Sequence, residues 1–502
     1  MADEAELCDH RLLGQETYHA PPPDVDEFLV ALYQYSLHGG FVGLVSRQLY
    51  SGCVWTYTLV VAGLLLWCVD WAAIVALTDD ADFGSAVDPS PLFGGTFSGT
   101  LYFLTSVALL TYRAVAAVRR WPRWKAIGQF WNDALTDLPP FHQWIDVVAA
   151  LVRRQGDGRP LLVNIEELSP VDVAVRVLRH DNYLVALVHR GVLGSDLHYD
   201  AVLLWNLRRL LLDPMLGRGE RAWELHFDAA RLRQRCRWLG GLNLLAMPLT
   251  LVVFTVFFAL RAAAHSAVGK AQWRSWSPTL RWQVREYNEY PDDAERRMRR
   301  AARAAQRLLD AYPESTSVRN AVSLVIFLAG STVGTITAVA FRSEEVLGFL
   351  HLGGRNLLWW LAFWTAVLTL ARWSMPATRS YHPPTVHSLR DALRSELGYA
   401  PWIVENDRQT MAALHTHFPL LPLVWLRSIK SVVSMPWLLR RWSLEADTIV
   451  QFLTDGTRRS DTAGDVWIDS LMLDRSSPKA ARSMLSFQQT YHSIWDWGDE
   501  QI

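Results

Sequence analysis

The chain has 502 residues, of which 50% are hydrophobic and 20% are charged, and its formal net charge is −1. This composition predicts a membrane core with large water-facing parts, and the near-zero net charge gives no global field that would attract nucleic acid. The four cysteines lie far apart and form no CxxC pair, so the sequence indicates neither a zinc site nor a disulfide framework.

The N-terminal part of the chain precedes the first long apolar run. Residues 1–27 are polar and end in a short proline run, which predicts a flexible cytosolic tail. Residues 28–52 have the pattern of an amphipathic helix interrupted at Gly39-Gly40. We expect this helix to lie on the membrane surface or to pack against a neighbouring element.

Within residues 28–118 two membrane spans are predicted, at about 54–77 and 98–118. Asp70 lies inside the first span, toward its far end, where a structural carboxylate hydrogen-bonded to a neighbour is the favoured interpretation and a functional ionisable group the alternative. Basic residues follow the second span at once: Arg119, Arg120, Arg123 and Lys125. Because basic residues flank the cytosolic ends of spans, the N-terminus and the chain after residue 118 are expected in the cytosol.

Residues 119–318 have a mostly helical pattern and are predicted to form a cytosolic region. An apolar segment at about 238–260 lies within it, with Pro248 at its middle and arginines at both ends. A proline removes a helix hydrogen bond, so the segment is either a kinked span or a re-entrant hairpin. Basic residues on both flanks are typical of the cytosolic side, which favours a hairpin broken at Pro248.

Residues 319–376 contain the third and fourth predicted spans, at about 319–341 and 356–373. In the fourth span, Thr365, Thr369 and Arg372 follow one another at i, i+4 and i+7, which places them on one face of a helix. A polar stripe that ends in an arginine suits a hydrated groove. It equally suits a buried seam between helices with the arginine at headgroup level, and the pattern leaves both interpretations open.

Residues 377–502 are predicted to form a cytosolic core with a second interrupted apolar segment at about 418–442. Three prolines interrupt this segment, and Arg427 and Lys430 lie in its middle. Such charges exclude a simple span, so we expect a re-entrant or interfacial element.

Motifs of soluble enzymes and pumps are missing from the sequence. It contains no Walker A string, no Rossmann glycine pattern, no HExxH and no GxSxG, and its histidines lack metal-ligand spacing. These absences argue against an ATP-driven pump and against a hydrolase, and no covalent chemistry, cofactor or metal is expected. The candidate site therefore consists of the polar and basic residues of the membrane segments.

A series of segments carries a resemblance to a known family, in the same order along the chain: YQYSLHGGF (33–41), CVDW (68–71), LRHDNYLVALVHRGVL (178–193), RWLGGLNLLAMPL (237–249), WSPTLRWQVREYNE (276–289), ARWSMP (371–376), SVVSMPWLL (431–439) and KAARSMLSFQQTYHSIW (479–495). Together they resemble the autophagy-related protein nine family of lipid scramblases. Structural roles are expected within these segments for Asp70, Asn182, Tyr183, Pro248, Asn288 and Glu289.

The resemblance implies an all-α membrane protein with four transmembrane helices, two re-entrant segments and both termini cytosolic, assembled as a domain-swapped homotrimer. It implies that phospholipids move between leaflets without ATP during autophagosome growth. It also implies a location on Golgi-derived and other cytoplasmic vesicles, endosomes and the phagophore. The implied partners are phospholipids, an autophagy lipid-transfer protein and an autophagy-initiation scaffold.

The resemblance also points to residues on the lipid path. Polar residues of the fourth span line the route in the family, and by local match these are Thr369 and Arg372. The basic-acidic cluster that follows the first re-entrant segment in the family is largely missing here, where the chain reads AAAHSAVGK, and Arg261 and Lys270 are the expected substitutes. The remaining lipid-path candidates are Thr365, Arg427 and Lys430.

Two other functions fit the same segments. A channel or secondary transporter also uses broken helices at the membrane midplane, although the sequence shows no convincing inverted repeat. A non-conducting membrane scaffold that recruits autophagy factors is the other alternative.

Overall fold

The computed structural model describes residues 25–70, 87–135, 138, 143–156, 168–194, 197–212, 227–268, 274–311, 316–340, 351–352, 355–374, 386–398, 400–472 and 477–494. In this part of the chain α-helices predominate, and the strands form two antiparallel hairpins. The α-helices are α1 (Val25–Leu37), α2 (Gly40–Gly63), α3 (Phe97–Ala134), α4 (Trp144–Gly156), α5 (Pro170–Val177), α6 (Arg179–His189), α7 (Ala201–Leu207), α8 (Ala229–Val268), α9 (Pro278–Gln283), α10 (Pro291–Ala311), α11 (Thr316–Ala340), α12 (Leu357–Ser374), α13 (Val386–Leu397), α14 (Asp407–His417), α15 (Leu421–Leu444), α16 (Ala446–Asp455) and α17 (Pro478–Tyr491). The strands are β1 (His351–Leu352), β2 (Arg355–Asn356), β3 (Thr457–Ser460) and β4 (Gly464–Trp467).

Among the described residues, four helical segments are long and apolar enough to cross a membrane: Gly40–Cys68, Phe97–Ala134, Ala229–Ala262 and Asn320–Ala338. The prediction of a mostly helical protein with four candidate spans is therefore confirmed. The set differs from the predicted one, because the segment around Pro248 qualifies and the predicted fourth span does not. That fourth span forms α12, whose apolar stretch is the shorter Trp359–Thr369.

The predicted interruption at Gly39-Gly40 separates α1 from α2. Gly39 has a φ of 68° and Gly40 a φ of 92°, a left-handed conformation that glycine adopts without the penalty of a β-carbon. Beyond this point α2 continues into a π-helical turn, Leu64–Cys68, as one rod. Residues 40–52 therefore begin the first membrane helix instead of forming part of a separate amphipathic element.

Asp70 does not lie inside the first membrane helix, which corrects the prediction. The helical segment ends at Cys68, and Val69 is extended and pairs with Val87 across an antiparallel bridge. The backbone N–H of Asp88 donates a hydrogen bond to the carbonyl of Cys68 at 2.8 Å. Asp70 is exposed just beyond the helix, where its charge avoids the cost of burial in hydrocarbon.

α8 runs without interruption through Pro248. The predicted hairpin with a break at this proline is therefore wrong. A proline inside a helix costs about 3 kcal/mol, whereas each backbone group left unpaired at membrane depth costs several kcal/mol. Because a chain reversal would leave several such groups unpaired, the continuous helix is the lower-energy form.

α15 lies antiparallel beside α8. The rings of Phe258 in α8 and Trp425 in α15 stack with centroids 5.7 Å apart, and a β-carbon added to Gly240 would lie 3.7 Å from the carbonyl of Pro436 at the other end of the pair. The second interrupted segment thus contains one continuous helix, since Pro436 lies within α15 and the other prolines stand at or before its first turn. The interruptions predicted from the prolines are absent from α15.

The middle of α8 packs against the first two membrane helices. Val253 is buried together with Leu59 and Ala62 of α2 and Tyr102 of α3. The hydroxyl of Tyr102 donates a hydrogen bond to the carbonyl of Leu59 at 2.6 Å, which ties α2 to α3 at this level. These contacts place the middle of α8 at the depth of the membrane helices.

The two ends of the α8–α15 pair that lie near Gly240 belong to a large apolar core. This core includes Leu187 of α6, Leu203 of α7, Cys236 of α8 and Trp442 of α15. A second large core joins α1, α4, α5 and α17. The long membrane helices are therefore held by a helical body that is built from segments far apart in sequence.

Candidate functional site

The threonines of the predicted polar stripe lie on α12. The hydroxyl of Thr365 donates to the carbonyl of Leu361 and that of Thr369 donates to the carbonyl of Thr365, each at 2.7 Å. Because these protons are used within the helix, each hydroxyl oxygen keeps its capacity to accept a hydrogen bond from water or a headgroup amine. Thr365 is exposed and Thr369 is half-buried, and Arg372 follows one turn later on the same helix.

α12 packs against α11, which carries further hydroxyl groups. A β-carbon added to Gly330 of α11 would lie 3.8 Å from Leu368 of α12, so the two helices approach each other at this point. Next to Gly330, the hydroxyl of Ser331 donates to a backbone carbonyl of its own helix, as does that of Thr335 one turn later. Hydroxyl groups therefore flank the contact between two otherwise apolar helices.

Arg261 lies near the C-terminal end of α8 and is exposed. It follows Phe258 by one turn, which places it just beyond the level of the Phe258–Trp425 stack. Lys270, the other expected substitute for the missing cluster, lies outside the described residues. The cationic group that the structure provides after the middle of α8 is therefore Arg261.

Arg427 and Lys430 are exposed on α15, one turn apart. Because α8 and α15 are antiparallel and Phe258 lies level with Trp425, Arg427 and Arg261 are separated by about 7–8 Å along the helix axes. Two residues of helix correspond to a rotation of about 200°, so Arg427 lies on the face of α15 opposite to Trp425. Arg427 thus points away from the Phe258–Trp425 stack, whereas Arg261 lies on the same side of α8 as Phe258.

Arg427 lies near His198, a half-buried histidine that no sequence pattern indicated. Burial and the positive charge of Arg427 together lower the pKa of His198 to about 4, and the same two causes lower the pKa of His417. The hydroxyl of Ser428 lies 3.4 Å from Nε2 of His198. Both histidines are therefore neutral at pH 7, and Arg427 provides the cationic charge here.

Asp200 is buried in the same region. Its Oδ1 accepts a hydrogen bond from the hydroxyl of Ser431 in α15 at 3.3 Å and another from the backbone N–H of Leu203 at 3.0 Å. Burial raises the pKa of Asp200 to about 6, against the opposing effect of these hydrogen bonds. The carboxylate therefore caps α7 and anchors the middle of α15 to it.

Asn182 and Asn288 join two of the quoted segments in the water-facing body. Nδ2 of Asn182 donates to Oδ1 of Asn288 at 2.8 Å, and the backbone N–H of Asn288 donates to Oδ1 of Asn182 at 2.9 Å. Nδ2 of Asn288 also donates to the carbonyl of Ser470 at 2.7 Å. Asn288 has a φ of 56°, a left-handed conformation in which asparagine is enriched.

The neighbouring residues Tyr183 and Glu289 also make specific contacts. The hydroxyls of Tyr183 and Thr457 lie 2.9 Å apart, which ties α6 to β3. The carboxylate of Glu289 accepts two hydrogen bonds from Arg297 of α10, through Nε and Nη2, both at 2.7 Å. These side chains connect helices of the body, at a distance from the polar residues of α12.

Two buried arginines of this body were missed in the sequence. Nη1 of Arg176 lies 2.9 Å from Oδ1 of Asp26, and Nη2 of Arg179 lies 2.7 Å from Oδ2 of the same residue. Arg179 also donates to the carbonyls of Asp465 and Ala463, at 2.6 and 2.7 Å. The sequence feature that could have indicated them is an arginine pair within an apolar helical pattern. Their partner carboxylate lies 150 residues before Arg176, so the sequence does not show the pairing.

No group of three or more histidine, cysteine or carboxylate side chains within the described ranges could hold a metal ion. The predicted lipid-path residues fall into three places: the outer face of α12, the end of α8 and the middle of α15. Those that the structure describes therefore lie on three different helices.

The family model of autophagy protein ATG9 matches residues 19–472 of this chain. The chain belongs to the ATG9 family. This result confirms the resemblance carried by the quoted segments, and it agrees with the membrane character of the four candidate spans.

Individual ATG9 relatives are distant. Autophagy-related protein 9 of Arabidopsis thaliana is 23% identical over 563 residues, which cover 97% of this chain and 63% of that protein. Autophagy-related protein 9B of Homo sapiens is 26% identical over 65% of this chain and 40% of its own length, and the Komagataella pastoris protein is 25% identical over 61% and 37%. The chain thus spans between 37% and 63% of the length of these curated relatives.

The fold is similar to that of a solved ATG9 protein. The match to the cryo-EM structure of Schizosaccharomyces pombe Atg9 has a TM-score of 0.63 at 17% sequence identity and covers 90% of this chain and 99% of that chain. At this identity the likeness shows a common fold.

Proposed function

We propose that this ATG9-family protein is an ATP-independent phospholipid scramblase that acts in autophagosome membrane expansion. The observation that carries the proposal is the hydroxyl row of α12, in which Thr365 and Thr369 keep free acceptor capacity on an otherwise apolar helix. Such a row lets a headgroup cross the bilayer beside α12 while its acyl chains stay in lipid.

The energetic argument rests on solvation of the headgroup. An unpaired charged or polar group in hydrocarbon costs many kcal/mol, whereas hydrogen-bond partners and water along a groove remove most of this cost. Both leaflets then equilibrate down their concentration difference, so no nucleotide hydrolysis is required. Arg372, on the same face of α12, would offer a cation to the phosphate at the end of the row.

A domain-swapped homotrimer is part of this proposal. The α11–α12 hairpin exposes large apolar side chains within the protomer, with Phe327 70% exposed and Leu324 57% exposed, and Trp359 and Phe363 of α12 are exposed as well. Insertion of this hairpin among the membrane helices of a neighbour would cover part of that surface. It would also bring the row of α12 close to the basic residues of α8 and α15 of another protomer.

We propose that both termini of the chain are cytosolic, and that the body contacted by both flanks of α8 is cytosolic as well. Cys236 near the start of α8 packs in the water-facing body with Leu439. Six residues after its end, Arg274 pairs with Leu420 in an isolated bridge, and Leu420 directly precedes α15. Because α15 runs back along α8, both flanks of α8 contact elements of the same body, although its middle reaches the membrane helices.

The basic residues of α15 have a role in the proposed route. α15 is a re-entrant or interfacial helix in this scheme, and Arg427 and Lys430 would contact headgroup phosphates that approach from the cytosolic leaflet. Arg261 would contact the same headgroup phosphates from α8. The lipid path is thus a proton- and fuel-independent route lined by hydroxyl groups and cations.

The cellular setting follows from family membership. We propose a location on Golgi-derived and other cytoplasmic vesicles, endosomes and the phagophore. A lipid-transfer protein of autophagy would deliver phospholipid to the cytosolic leaflet, and an autophagy-initiation scaffold would recruit the vesicles. Scrambling would then redistribute the delivered lipid to both leaflets.

The test is reconstitution of the purified chain in liposomes that contain a trace of fluorescent phospholipid, followed by dithionite reduction. A scramblase lets reduction proceed beyond the outer-leaflet share of the label without ATP. Reduction that stops at the level of protein-free liposomes would leave the non-conducting scaffold as the function. Ion or solute flux without lipid exchange, measured on the same liposomes, would identify a channel or transporter.

A further inference from the structure

α3 extends far beyond the thickness of a bilayer. Its 38 residues correspond to a length of about 57 Å, whereas the hydrocarbon core is about 30 Å thick. The apolar sequence of α3 gives way to basic residues at Arg119, but the helix continues to Ala134. The arginines at this transition are therefore held on a continuous helix that also contains Pro122.

A surface cavity of about 520 Å³ lies along α3 at this transition. Val115 and Ala116 line its middle, and Arg119, Arg120 and Arg123 line the part that lies farthest from the apolar span. Residues at these spacings occupy neighbouring rows on one face of a helix. The cavity is thus apolar in its middle and basic at its cytosolic end, with the hydroxyl groups of Thr111 and Tyr112 toward the membrane.

The basic end of the cavity carries a surplus of positive charge. Arg123 forms an ion pair with Glu27 of α1. Arg119 and Arg120 are exposed, and neither forms an ion pair within the parts of the chain that the structure describes. Two guanidinium groups are therefore available to a ligand, and no carboxylate is among the described lining residues.

A further cation reaches the cavity from another element. Nη2 of Arg209, in the π-helical turn Arg208–Leu212, donates to the hydroxyl of Tyr112 at 3.5 Å, and Tyr112 lines the cavity. The guanidinium group of Arg209 also lies 5.8 Å from the ring centroid of Trp205, and this cation–π contact favours one orientation of the arginine side chain. The positive charge at this place therefore comes from two elements distant in sequence.

We propose that this cavity binds the headgroup of an anionic phospholipid in the cytosolic leaflet. Guanidinium groups bind phosphate in a bidentate geometry, and the volume lies within the range of small-ligand pockets. The acyl chains of the same lipid would lie along the apolar side of α3 above Val115. The site is separate from the hydroxyl row of α12 and does not depend on the proposed scrambling.

The experiment uses the full chain in nanodiscs that contain phosphatidylcholine and increasing amounts of a photoactivatable phosphatidylserine. Cross-linked peptides are mapped by mass spectrometry, and labelling of residues 111–123 is measured. Replacing both unpaired arginines (Arg119→Gln, Arg120→Gln) should raise the phosphatidylserine fraction for half-maximal labelling by about 10–30-fold, because each arginine near an anionic surface contributes about a fivefold change. The variant should fold, since both side chains are exposed and make no ion pair there.

Matched variants separate the site from a general effect of charge. Arg303→Gln with Arg307→Gln removes two exposed arginines from α10 and should leave labelling of residues 111–123 unchanged. Arg119→Lys with Arg120→Lys keeps the positive charge but removes the planar guanidinium groups that bind phosphate in a bidentate geometry. This variant should raise the phosphatidylserine fraction for half-maximal labelling by less than the two glutamine substitutions do.

Three results would overturn the inference. The first is equal labelling by phosphatidylserine and by a photoactivatable phosphatidylcholine, with no effect of the glutamine pair, which would mean ordinary boundary lipid. The second is displacement of the label by inorganic phosphate at matched ionic strength, which would mean a site for free phosphate. The third is cross-linking of residues 111–123 to a neighbouring protomer in place of lipid.

Discussion

The reciprocal amide pair between Asn182 and Asn288 allows a sharp test of how the water-facing body is held together. Asn182→Ala removes the partner of two hydrogen bonds and leaves the backbone N–H and Oδ1 of Asn288 unpaired in a buried place. Each buried polar group left without a partner costs about 1–3 kcal/mol, so the variant should lose about 2–6 kcal/mol of stability. For a body of a few hundred residues this lowers the apparent melting temperature by at least about 4 °C.

The assay is thermal unfolding of the detergent-solubilised protein, followed by intrinsic fluorescence. Asn132→Ala is the matched control, because Asn132 is exposed on α3 and should change the melting temperature by less than about 1 °C. A double-mutant cycle with Asn288→Gly, which keeps the left-handed backbone conformation accessible, isolates the coupling. Additive losses in the cycle, or equal melting temperatures for Asn182→Ala and its control, would refute the assignment of this pair as a structural link.

Two further predictions concern α8 and Asp200. Pro248→Ala should preserve the fold and leave the melting temperature equal or higher, because alanine restores a helix hydrogen bond; a lower melting temperature would contradict a continuous α8. Asp200→Asn keeps a capping side chain but removes a carboxyl whose pKa rises from 3.8 when unfolded to about 6 when folded. The protonated form is favoured by folding, so wild-type stability should fall relative to the variant as pH rises from about 4 to 6, by roughly 1–3 kcal/mol in total, and then stay level. Melting temperatures at pH 4.5 and 7.5 check this, and parallel pH profiles would contradict it.

Features that depend on neighbouring residues, such as a helix break or an apolar run, could be predicted from the sequence. The interruption at Gly39-Gly40 could be predicted because only glycine adopts such positive φ values freely at two successive positions. The apolar runs that form α2, α3 and α11 could be predicted from length and composition. The prediction of a helix break at Pro248 was wrong. The energetic cost of a proline depends on the residues next to it, whereas the contacts of α8 with α15 and with the membrane helices involve residues far away in the sequence.

Long-range polar contacts could not be read from the sequence. Asp26 pairs with Arg176 and Arg179 across 150 residues or more, and no periodicity within either segment points to the other. The prediction that Asp70 lies inside the first span was wrong, because an apolar stretch of sequence does not show that the helix ends at Cys68. The hydroxyl row of α12 could be predicted from its spacing, but its position relative to Arg261 of α8 and Arg427 of α15 could not.

The most direct test of lipid scrambling along α12 compares the rate of dithionite reduction between two reconstituted variants. Thr365→Leu with Thr369→Leu removes both hydroxyl acceptors, and at about 0.5–1.5 kcal/mol for each hydrogen bond the rate should fall by about 5- to 150-fold. Thr105→Leu on α3, whose hydroxyl also bonds within its own helix, is the matched control and should scramble at the wild-type rate. Equal rates for the double variant, the control and the wild type would contradict a lipid path along α12.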